Sequence, residues 1–92
     1  MNATVVGLVT PHLLRVIDLA NEAEKGMNVD WHVRGAVDAT MAELRDQWNA
    51  QALVASYVEG LETAAKQAPA NRPNYVRVLQ APAAAARGGR RD

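Results

Sequence analysis

From Asp30 to Ala68 the chain runs 39 residues without a proline, and the apolar positions along that run fall on two helical faces. Stepped at 100° per residue, Val33, Val37, Met41, Leu44 and Trp48 share one narrow face. Val54, Tyr57, Val58, Leu61 and Ala65 share another, about a third of a turn away. Either the helix breaks near Trp48 and Asn49, or one rod serves two partners. The rotation favours a break with Asn49 as the new cap, although neither Gly nor Pro stands at the junction. An unbroken rod over 30–68 would be about 58 Å long, roughly twice the width of a small domain.

Upstream, Leu13, Val16, Ile17, Ala20 and Ala23 recur at three- and four-residue spacing. Thr10-Pro11 reads as a helix start and Gly26 as the stop after Lys25, so this pattern predicts a first helix over 10–25. Asn28 or Asp30 is placed to cap the second. Residues 4–9, Thr-Val-Val-Gly-Leu-Val, are β-prone and predict an extended arm or short strand over 1–9. Beyond Pro69 the pattern turns irregular: Tyr75–Leu79 reads as a five-residue strand, and the Ala/Gly/Arg-rich end as low-complexity chain. The fold class expected is mainly α: a small helical hairpin or bundle over 10–68, with a long or kinked second helix. Extended arms flank it at 1–9 and 69–92.

Composition qualifies the core. Of the 49% hydrophobic residues many are alanines, 18 in all, and there is no Phe and one Ile. Alanine removes little area from water, so at about 25 cal/mol per Å² this core stabilises less than the percentage implies. Two faces to cover with so little material predict an oligomer or a subunit of something larger. The zero net charge conceals a division. Residues 1–68 carry five cations against nine anions, a net of −4, and residues 69–92 carry five arginines against Asp92, a net of +4. An acidic body bears a basic arm.

No catalytic grouping emerges. With no Cys, disulfide, thiolate and cysteine–metal chemistry are absent. His12 and His32 stand outside any zinc or di-metal spacing and read as surface or packing residues. Ser56, the one serine, lacks a nucleophile elbow. Glu43 with Asp46 and Glu59 with Glu62 read as solvated helix faces, and Gly88-Gly89 lacks the strand, helix and Lys-Ser/Thr of a phosphate loop. No cofactor, metal or small-molecule substrate is expected. The N-terminal apolar stretch is too short for a signal peptide or membrane span, which points to the cytoplasm or a particle assembled there.

Trp48-Asn49-Ala50 resembles the turn of the Trp-x-Gly family of secreted helical-hairpin dimers. The resemblance covers those three positions only. Ala50 stands where that family places glycine, residues 26–30 interrupt its first long helix, and a proline-containing tail replaces its helical C-terminus, so nothing more is carried over.

The function expected is therefore non-enzymatic: a structural or adaptor subunit packing through helical faces on copies of itself or a larger assembly, such as a phage or virion component or a small regulator of one host protein. Candidate contact residues are the aromatics Trp31, Trp48, Tyr57 and Tyr75 with Arg77, Arg87, Arg90 and Arg91. Trp48 reads first as a central packing residue; Trp31, off the second helix's stripe, reads as an interface anchor. The terminal arginines favour contact with the acidic body or a neighbouring subunit over the alternative, a nucleic-acid-associated regulator held by the basic arm.

Overall fold

Val5, Val9, Val16, Ala20 and Ala23 all turn inward along one continuous helix, α1 (Ala3–Glu24), which passes straight through Pro11. The computed structural model describes residues 3–88, and side chains from Val5 to Ala86. The extended arm expected over the first nine residues is thus replaced, from Ala3 onward, by helix. The β preference of Thr4-Val5-Val6 yields to a buried 3.6-residue register that begins at Val5, before the apparent Thr-Pro start. Pro11 deprives the Gly7 carbonyl of its helical donor, and both residues are exposed, where the loss costs least. The Thr10 hydroxyl turns back to donate to the Val6 carbonyl at 2.7 Å.

α1 ends as its sequence signals. Gly26 takes φ 98°, its N–H donates to the Ala23 carbonyl, and the Met27 N–H donates to that of Glu22, together closing a Schellman turn that a residue with a Cβ would strain. α2 (Asp30–Arg45) follows, with the Asn28 side chain accepting from the Asp30 N–H at 3.3 Å.

Residues 46–49 separate α2 from α3 (Ala50–Gln67). Asn49 holds the N-cap position of α3, yet its side chain makes no capping bond. Ala68 is extended ahead of Pro69, as a residue preceding proline tends to be.

The segment 69–92, expected as an extended arm, is helical over most of its described length: α4 (Pro73–Leu79) and α5 (Ala81–Gly88). The strand expected at Tyr75–Leu79 is corrected by the spacing of the buried residues. Val78, Leu79, Pro82 and Ala83 point inward together. Val78 and Leu79 share the inner side of α4, whereas a strand would send them to opposite faces.

These two short helices supply the covering that the sequence seemed to lack. α1 lies against α2, α3 and α4, and α5 packs on α2 and α3. Val33, Val37, Met41 and Leu44 on one strip and Tyr57, Leu61 and Ala65 on the other are all buried, with Val54 and Val58 half-buried beside them. The radius of gyration is 12.8 Å, against about 12 Å expected for a compact chain of this length. A second chain is not needed to close the core.

Candidate functional site

Both tryptophans are left outside that core. α2 carries Trp31 on its first turn, off the face made by Val33, Ala36, Val37, Thr40, Met41 and Leu44, and the indole is 80% exposed. Trp48 follows the end of α2 and is 94% exposed, which corrects its expected place as a central packing residue. Its position on the apolar strip presumes four more helical residues after Leu44, and the helix stops at Arg45. Met27, just before α2, is exposed as well. Between the two indoles α2 exposes Gly35, Ala39 and Ala42, spaced i, i+4, i+7, alongside the charged Arg34, Asp38, Glu43 and Arg45.

Gly35 is informative there. A Cβ at this position would meet nothing within 4 Å, so no neighbour within the chain requires glycine. An exposed mid-helix glycine costs about 0.5–1 kcal/mol relative to alanine. Gly35→Ala is therefore expected to raise stability by that amount, read as an upward shift in thermal melting.

Tyr57 belongs to the interior and not to a contact surface. It is fully buried, its ring stands edge-on to His12 at 6.5 Å between centroids, and its hydroxyl has no hydrogen-bond partner. Burial raises its pKa above the ordinary 10.0; the Thr40 hydroxyl and the charge of Arg15 oppose this in part, with Thr40 close by but short of hydrogen-bond geometry. Thr40 instead lies 3.3 Å from His12 Nδ1, and His12 Nε2 is 3.3 Å from the Glu43 carboxylate. His12, read from sequence as surface or packing, thus ties α1 to α2.

Tyr75 and Arg77 serve intramolecular contacts. The Tyr75 N–H donates to Glu24 Oε1 at 3.0 Å, and its ring lies under the Arg72 guanidinium at 4.1 Å. Arg72 also donates to Asn21 Oδ1 at 2.7 Å, a clamp between α4 and α1 that the sequence did not single out. Arg77 pairs with Asp30 at 3.0 Å; both side chains are more than half exposed, so the pair adds little stability. With Asp30, Arg34 and Asp38, Arg77 lines a groove of about 440 Å³ between α2 and α4–α5, whose apolar lining is Val33, Val37, Val78, Ala81 and Ala85. Of the basic residues beyond Pro69, Arg72 contacts Asn21 of α1 and Arg77 contacts Asp30 of α2. The Arg87 side chain, Arg90 and Arg91 lie outside the described residues.

No protein-family model, curated protein or solved structure matches this chain. Among the described residues no group of three or more His, Asp or Glu is placed to hold a metal ion, and no helix is long and apolar enough to cross a membrane. What the surface offers is two large exposed indoles, one on the first turn of α2 and one just past its end, with small and charged side chains between them.

Proposed function

We propose that this protein is a non-enzymatic structural or adaptor subunit that docks on a protein partner through the outer side of α2, with Trp31 and Trp48 as anchors. One observation carries the reading: the chain closes its core without either tryptophan, although Trp is among the most heavily buried residues on average. An indole held at 80% or 94% exposure stabilises nothing in the isolated chain. Inserted into a partner's pocket, it becomes the side chain that most often dominates binding energy.

The test pairs stability with binding. Trp31→Ala and Trp48→Ala are each expected to change folding stability by less than about 0.5 kcal/mol, as for surface sites without special contacts. Each is expected to weaken partner binding by about 2 kcal/mol or more, read as reduced recovery of a crosslinked partner from the native host. Undiminished recovery by the double variant, with its helicity intact, would overturn the reading.

A further inference from the structure

The groove beside Arg77 owes its volume to the residues of α5 that face it. Opposite Val33, Val37 and Val78 stand Ala81 and Ala85, whose single methyl groups leave about 440 Å³ open between α5 and α2. A leucine at either position would occupy much of that space.

The walls are apolar and the rim is charged. Asp30, Arg34 and Asp38 follow one another along α2 at four-residue spacing, over about 12 Å of helix. Arg77 reaches across from α4 and pairs with Asp30 at 3.0 Å. Arg34 and Asp38, exposed and one turn apart, carry opposite charges, yet neither side chain forms an ion pair or hydrogen bond with the other or with any described residue. Two free charges of opposite sign border one apolar hollow.

We propose that this groove binds a small zwitterion with an apolar body, in its simplest form a short apolar peptide with both ends free. The ligand carboxylate meets Arg34, its ammonium meets Asp38, and its side chains lie against the valines and alanines. Trp31 and Trp48 take no part.

Size, spacing and charge select this class. Small-molecule sites commonly enclose about 300–1,000 Å³, a range that includes this groove. The ends of an extended two-residue peptide stand about 7 Å apart, and one turn of α2 separates Arg34 from Asp38 by about 6 Å along the axis. A simple anion drawn to Arg34 would be opposed by Asp38, and a simple cation drawn to Asp38 would be opposed by Arg34. A ligand bearing both charges is opposed by neither.

The test uses the native chain with leucyl-leucine as the probe, followed by amide chemical shifts. The free dipeptide is expected to bind with a Kd of about 0.1–1 mM, the affinity that ordinary ligand efficiency gives a molecule of this size. Shifts are expected at Val33–Asp38 and Ala81–Ala85. Acetylating the amine or amidating the carboxylate of the probe removes one charge, and each is expected to weaken binding at least fivefold, as are Asp38→Asn and Arg34→Gln. Ala85→Leu, which fills the hollow, is expected to abolish binding with helicity unchanged. A native chain that shows no shifts at millimolar probe, or shows them elsewhere, overturns the site. Equal binding of the free and blocked dipeptides to the native chain overturns the assignment of a zwitterion, and binding that survives Ala85→Leu overturns its placement.

Discussion

Leu79→Ala is expected to lower folding stability by about 2–5 kcal/mol, the range for removing a fully buried leucine from a packed core. For a domain of this size that corresponds to a fall in melting temperature of roughly 10–30 °C. Leu79 has no exposed surface and, with Val78, Pro82 and Ala83, seals the side of the core covered by α4 and α5. Were 69–92 an extended arm, the same change would cost almost nothing. Thermal denaturation followed by circular dichroism separates the two, and an unmoved transition would return these residues to the surface.

At Tyr57 two substitutions are expected to diverge. Tyr57→Ala empties a site at the centre of the core and should cost about 3–5 kcal/mol, as for other large aromatic truncations. Tyr57→Phe keeps the ring and removes a buried hydroxyl without a partner, so it is expected to be neutral or to stabilise by about 1 kcal/mol. pH adds a signature. Because burial raises the folded-state pKa above the unfolded value of 10.0, the neutral phenol's contribution is fully present below pH 10. It is lost as pH climbs above 10 through the raised folded value. Urea denaturation at pH 8 and above pH 10 should show a stability difference between native and Tyr57→Phe protein that moves in favour of the phenylalanine variant in alkali. A Tyr57→Phe chain destabilised at pH 8 would reveal a hydrogen bond to that hydroxyl.

The interior of this protein was more legible in its sequence than its ends. Gly26 marked the close of α1 because the Schellman turn needs a positive φ, and the strips through Val33–Leu44 and Tyr57–Ala65 marked the inner faces of α2 and α3. Trp31 stood off its strip and is exposed. The N-terminus misled because Thr-Pro and a Val-rich run carry local signals for a start and a strand, while the deciding signal, Val5, Val9 and Val16 in one register, spans the proline. At Tyr75–Leu79, five residues are too few to tell a helical period from a strand's. Trp48 was misplaced because its strip was extended past the last helical residue. The small stripe at 35, 39 and 42 was readable on a helical projection and carried no chemical signal of its own.

Since Trp31 and Trp48 are the only tryptophans, intrinsic fluorescence reports on these two positions and no others. The central claim is that both indoles stand in water in the folded single chain and are covered when α2 docks. The most direct measurement is the emission spectrum and acrylamide quenching of the native protein at high dilution, folded and then unfolded. The account predicts water-like, readily quenched emission from the folded chain, little changed when the chain is unfolded. Blue, protected emission from the folded chain, lost only on unfolding, would place the indoles in the core and contradict the account.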